Sequence, residues 1–164
     1  MTTVPAAPSR TEAGAQVVRV PPPLYFAAAF AAAVVLSKTG TPLAFHRTTA
    51  SVVAGILVLV TGATLAAAGV AHVVRAGTTI VPHHPVAQLQ TTGVYAASRN
   101  PMYTGLAIAY LGGAVLSATW WPMITLPVAL LAIVTLVIRP EERYLHSRFG
   151  TTYTTYRTHV RRWL

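Results

Sequence analysis

One stretch limits this chain more than any other: residues 50–74, "ASVVAGILVLVTGATLAAAGVAHVV", contain no Asp, Glu, Lys or Arg. Uncharged apolar runs approaching or exceeding about 18 residues read as membrane spans. A helix can cross lipid because it satisfies its own backbone hydrogen bonds. Three more apolar runs follow the same pattern, at residues 24–36, 101–119 and 120–138. Composition agrees: 54% of residues are hydrophobic and 9% charged, whereas soluble domains are about 25% charged. The expectation is an all-α integral membrane protein with about four transmembrane helices and a cytoplasmic C-terminal helical segment. Residues 1–23, rich in small residues and proline, read as a flexible tail. Residues 24–164 read as a single domain. The first run is short for a bilayer and also resembles the apolar part of a cleaved signal peptide; a retained span is the favoured reading.

Charge sets the orientation. The net charge is +9, from 12 Lys+Arg against 3 Asp+Glu. In a four-span topology Arg10, Arg19, Arg75, Arg99, Arg139, Arg143, Arg148, Arg157, Arg161 and Arg162 share one side, and the other holds only Lys38 and Arg47. Basic residues collect on the cytoplasmic side of membrane proteins, so both termini are expected in the cytoplasm, on the plasma membrane. The same excess on a soluble chain would suggest nucleic acid, but no basic groove with interleaved aromatics is present. Cysteine is absent, which excludes disulfides, thiolate metal sites and a cysteine nucleophile. His83 and His84 read as surface loop. His146 stands four residues after Glu142, and two ligands are too few for a metal, so no metal is expected.

Gly55, Gly62 and Gly69 recur every seven residues, which places them on nearly one helical face. Small residues there let a neighbouring helix approach closely in lipid. Trp120-Trp121-Pro122 has the character of a hairpin turn at the membrane surface.

The chemistry concentrates at "SRNPMYTG", residues 98–105. Asn is a favoured N-cap and Pro a favoured first helical residue, so Asn100-Pro101 should start the third span. Free N–H groups and the positive dipole end favour an anion there, and Arg99 adds a full charge. The two arms of the following hairpin are about equal in length, which brings Arg139, Glu141 and Glu142 level with Arg99. Glu141 and Glu142 are two of only three acidic residues. An ordinary salt bridge, Glu142 with Arg139 or Glu141 with Arg99, is the plain alternative. The functional alternative is a pocket for a ligand bearing both signs of charge. S-adenosylmethionine is such a ligand, with a carboxylate, an ammonium, a sulfonium that an aromatic face suits, and ribose hydroxyls.

Two blocks carry a resemblance. "LQTTGVYAASRNPMYTG" (residues 89–105) and "EERYLHSRFGTTYTTYRTHVRRW" (residues 141–163) resemble the isoprenylcysteine carboxyl methyltransferase family and the related phospholipid methyltransferases. The resemblance implies a helical membrane enzyme using S-adenosyl-L-methionine near the cytoplasmic ends of the last spans. It carries cofactor binding onto Leu89, Gly93, Tyr95, Arg99, Asn100, Pro101, Tyr103, Gly105, Glu141 and Glu142, with Arg99, Tyr103 and Glu142 as the catalytic candidates. The implied acceptor is hydrophobic, a lipid or prenylated molecule entering from the bilayer, with isoprenylcysteine-type carboxyl O-methylation first. Phospholipid amine N-methylation is the alternative, then a membrane NADPH-dependent reductase or a non-enzymatic membrane module. The chain departs from the eukaryotic prenylcysteine enzymes at Ala87 and Asn100, where they have His, and the phospholipid enzymes' upstream Gly-x-Gly is not evident around Gly62. Tyr153, Tyr156, Val160 and Trp163 fall at helical spacing opposite Arg157 and Arg161, which suggests an interfacial amphipathic helix with Tyr153 and Tyr156 near the pocket. Oligomeric state has no signature.

Overall fold

A computed structural model describes residues 20–41, 43–77 and 88–164. Most of the expected tail, with Arg10, Glu12 and Arg19, lies outside the described residues, as does the His83-His84 loop. The helices are α1 (Pro22–Thr39), α2 (Thr49–Arg75), the short α3 (Val94–Ala97), α4 (Pro101–Ser117), α5 (Trp121–Ile133) and α6 (Arg139–His159), with a π-helical turn (Val134–Ile138) joining the last two. Among the described residues the only extended pairing is an isolated bridge between Ala44 and Thr119. The protein is an all-α integral membrane protein. Three of its helices are long and apolar enough to cross a membrane, and α4, at 17 residues, is a shorter apolar companion.

Each start has a local cause. Thr48 and Ser51 form a reciprocal capping box at the head of α2, with bonds of 3.1 and 3.0 Å. Proline stands in the first turn of α1, α4 and α5, where its missing N–H leaves no donor unpaired. The turn between α4 and α5 closes through Ala118 in the left-handed region (φ 54°). The α1–α2 loop docks on it: Phe45 N–H donates to Ala118 O, Trp120 N–H to Leu43 O and Trp121 Nε1 to Thr41 O.

The glycine seam is real, and it has two sides. Added Cβ atoms at Gly62, Gly105 and Gly112 would strike the backbone of the opposing helix: Gly62 meets Gly105 O and Ala109, Gly105 meets Gly62 O and Ala66, and Gly112 meets Gly55 O and Leu59. Helices α2 and α4 therefore run in backbone contact. Lipid supplies no hydrophobic drive for helix association, so this close packing is what holds them.

Helix α1 belongs to the bundle. Phe26 is buried and Phe30 meets the Tyr110 ring edge-on at 5.2 Å, while α1 packs along α5. The core runs through Phe26, Tyr103, Tyr110, Leu126, Ile133, Val137 and Ile138.

Helix α5, the π-helical turn and α6 follow one another without a loop over the 39 residues from Trp121 to His159, apolar to Ile138 and polar from Arg139. The N–H of Arg139 bonds to Val134 O. This wider turn inserts a residue and rotates everything beyond it about the axis. Val137 and Ile138 within the turn are buried, as is Ile133 before it, and the Glu141-Glu142 pair beyond it meets the start of α4.

The expected amphipathic segment does not run through Trp163 as one helix. Gly150 adopts φ 51°, ψ −120° and kinks α6, and the helix stops at His159. Residues 160–164 then fold back as a strap over the start of α4.

Candidate functional site

Backbone at the head of α4 is held by that strap. Arg99 N–H donates to Arg161 O at 2.9 Å, and Asn100 Nδ2 donates to Arg162 O at 2.9 Å. Asn100 occupies the N-cap position without a side-chain cap bond, and its side-chain NH2 is turned to the strap. Ser98 accepts from Asn100 N–H at 3.1 Å, and Thr104 Oγ1 donates back to Asn100 O at 2.9 Å. The expected Asn cap is thus replaced by a strap anchor, and Ser98, Asn100 and Thr104 are all buried.

Charge meets at Glu142. Arg99 Nη1 donates to its Oε1 at 2.9 Å. From the strap, Arg162 Nε donates to Oε1 at 3.0 Å and Nη2 to Oε2 at 2.7 Å. Arg99 Nη1 also donates to the Tyr153 hydroxyl at 3.2 Å. Two arginines share the one Glu142 carboxylate. Arg99 Nε is buried without a hydrogen-bond partner; such an orphan costs about 1–3 kcal/mol, more when charged.

Glu141 is placed differently. Tyr103 donates to its Oε2 at 3.3 Å, and no basic group pairs with it among the described residues. The residue keeps partial exposure while its carboxyl is enclosed by protein, and burial pushes that carboxyl up to about 7 against the opposing Tyr103 bond, with Glu142 adding to the rise. The plain salt-bridge alternative holds with other partners: Glu142 takes Arg99 and Arg162 in place of Arg139, and Glu141 takes a tyrosine.

Around these groups stand neutral phenols. Burial raises Tyr95 and Tyr153, and carries Tyr156 up to about 12, so all three keep their protons at neutral pH. Tyr156 donates to Tyr95 O at 2.6 Å, and Tyr95 lies against the His72 ring at 5.5 Å. Gly93 has φ 59°, and a Cβ there would lie 2.9 Å from His72 Nδ1, so this position combines a left-handed backbone with close packing.

Arg99, Asn100, Tyr103, Glu141 and Glu142 come together, with Pro101 buried beneath them. Gly93 and Tyr95 form an adjoining wall, and Leu89 is half-buried on the approach to α3. Gly105 faces α2 within the seam. Arg162 was legible only as one of many topology-setting arginines. The one signal for it was arithmetic: arginines far outnumber the two structured carboxylates.

Two clefts flank the cluster. One, of about 450 Å³, is lined by Thr91, Thr151, Thr152, Thr155, Tyr156 and His159. The other, of about 650 Å³, is lined by Thr135, Arg139, Glu142, Arg143, His146 and Arg157. Among the described residues no group of three or more His, Cys, Asp or Glu could hold a metal.

A bundle of membrane-crossing helices with its buried charges gathered where two of them leave the lipid is the plan of a membrane-embedded enzyme acting at the interface. The phospholipid methyltransferase family matches this chain over residues 50–152, well over half of its 164 residues, and the chain belongs to that family. No curated protein and no solved structure matches it. The match runs from α2 into the second half of α6, so α1 and the strap lie outside it. It supports a membrane methyltransferase in general, and it is to the phospholipid family named second in the sequence resemblance.

Proposed function

We infer that this protein transfers a methyl group from S-adenosylmethionine to a hydrophobic acceptor that enters from the bilayer, at the cytoplasmic face of the plasma membrane, with residues 24–164 working as one domain. The carrying observation is Arg99 Nε. A buried, unpartnered guanidinium donor, where two arginines share one carboxylate, suits the carboxylate of an amino-acid-bearing cofactor. The hydroxyl-lined cleft beside Tyr156 and Thr91 has a volume in the usual range for small-ligand sites.

When bound, S-adenosylmethionine supplies a methyl on a positively charged sulfur, open to in-line displacement. The chain's part is to hold and orient. Arg99 offers its free donor to the carboxylate, held in place by Glu142 and Tyr153. Tyr95 and Tyr103 offer aromatic faces to a cation. Burial of the site excludes water, which preserves the geometry that makes displacement fast.

Two acceptors suit this frame. An isoprenylcysteine-type carboxylate, to which the sequence blocks point, is already ionised at neutral pH and needs no base. A phospholipid amine must lose a proton before it attacks, and one observation favours it: Glu141, held near 7 beside Tyr103, is matched to take that proton at physiological pH. A rate at saturating cofactor that rises with pH through about 7 supports the amine, and a flat profile supports the carboxylate.

Calorimetry of the purified protein tests the shared part of the reading. S-adenosylhomocysteine should bind and NADPH should not. Binding of NADPH alone makes the protein a reductase, and binding of neither makes it a non-enzymatic module.

A further inference from the structure

The wider cleft does something the methyl-transfer site does not require. Arg139 and Arg143 come from the first half of α6, and Arg157 from beyond the kink at Gly150; all three are exposed and line one cavity of about 650 Å³. Its one carboxylate, Glu142, is committed to Arg99 and Arg162, which form both of the ion pairs among the described residues. Like charges gathered from two chain segments repel, and at a membrane surface the repulsion is only partly screened. Such an arrangement is stable when an anion sits between them.

The floor of the cleft tells which kind. Thr135 lies in the π-turn, within the apolar part of the long helix, on the same stripe as Arg139 and Arg143. Farther down the same helix Leu131 and Val128 are 64% and 67% exposed, open to acyl chains. One face thus passes from lipid-facing aliphatics through a hydroxyl to three guanidinium groups, at the depth where a phospholipid passes from acyl chain to glycerol to phosphate.

The geometry points to a docking site for an anionic phospholipid, its phosphate between Arg139, Arg143 and Arg157 and an acyl chain along Leu131 and Val128. The site reads the lipid's negative charge. It stands whichever acceptor the enzyme methylates, because a lipid with no amine and no free carboxylate fits it.

Phosphatidylglycerol is therefore the probe, against phosphatidylcholine with the same acyl chains. Native mass spectrometry of the full chain in detergent micelles, with graded lipid added, counts bound molecules of each. The wild type should retain phosphatidylglycerol at least about tenfold more strongly. At about fivefold per arginine near an anionic surface, Arg139→Gln/Arg143→Gln should lose about twenty-fivefold. The control pair Arg75→Gln/Arg161→Gln removes the same charge on the same side outside the cleft and should retain the preference. Arg143→Lys should lose less than Arg143→Gln. Thermal melts of each variant establish folding, which these exposed positions should not disturb. Equal loss in the control pair, or no preference in the wild type, overturns the site in favour of diffuse surface charge. Displacement of the lipid by an equal concentration of inorganic phosphate overturns the lipid assignment in favour of a soluble anion.

Discussion

Removing Glu142 and removing Arg162 break the same ion pair, yet they should differ several-fold in cost. Glu142 and Arg99 have side-chain exposures of 13% and 10%, while Arg162 is 35% exposed. Arg162→Gln deletes charge-assisted bonds of 3.0 and 2.7 Å, but Glu142 keeps its bond to Arg99. Charge-assisted bonds contribute about 1.5–3 kcal/mol when enclosed, and solvent screening at Arg162 reduces that. The expected loss is about 1–2 kcal/mol. Glu142→Gln leaves two guanidinium groups facing each other, one of them deeply buried with Nε already unpartnered. Breaking a buried pair from one side costs about 3–5 kcal/mol. Equilibrium unfolding in mixed micelles, followed by tryptophan fluorescence, measures both. The double variant should lie close to Glu142→Gln alone, since Arg162 has then lost its partner. Equal costs for the two single variants, or a Glu142→Gln cost below about 1 kcal/mol, would show that the cluster is solvated and that the strap contributes nothing.

Glu141 sets a pH dependence. Its folded value of about 7 lies above the ordinary 4.5, so the folded state holds the proton more tightly than the unfolded state. Its stabilising contribution is complete below about pH 4.5 and is lost as pH rises through 7, by up to about 3 kcal/mol; Glu141→Gln should flatten this component of the ligand-free stability curve, and an unchanged slope contradicts it. Gly105→Ala should lower stability by about 1–3 kcal/mol through overpacking against Ala66 and Gly62. S-adenosylhomocysteine affinity of the folded fraction should stay the same; a selective affinity loss returns Gly105 to the site. A reporter active only outside the cytoplasm, fused to Leu164, should stay silent, because most arginines lie on that side of the bundle; a strong signal inverts the topology.

The apolar helices and the meeting of Arg99 with the glutamate pair were legible because both leave local marks. Lipid demands uncharged runs, and the scarcity of carboxylates made Glu141 and Glu142 conspicuous beside Arg99. Gly62 was readable as a packing residue from its heptad neighbours. The packing of Gly105 was not, since its partner, Gly62, lies more than 40 residues away. Asn100 shows the same limit: its type predicted a cap, and a distant carbonyl took its amide instead.

By itself the sequence determined an all-α membrane protein with one polar cluster where spans begin and end, because hydropathy and the pairing of rare charges depend on composition along the chain. Only the tertiary structure decided which charge answers which. A wider π-turn at residues 134–138 rotated the glutamates, and a left-handed Gly150 turned the chain so that Arg162, at the far end, closes on Glu142. Rotation about a helix axis and the return of a strap are sums of small backbone angles over many residues. No local pattern records such a sum; the contacts that select it exist only once the bundle has packed.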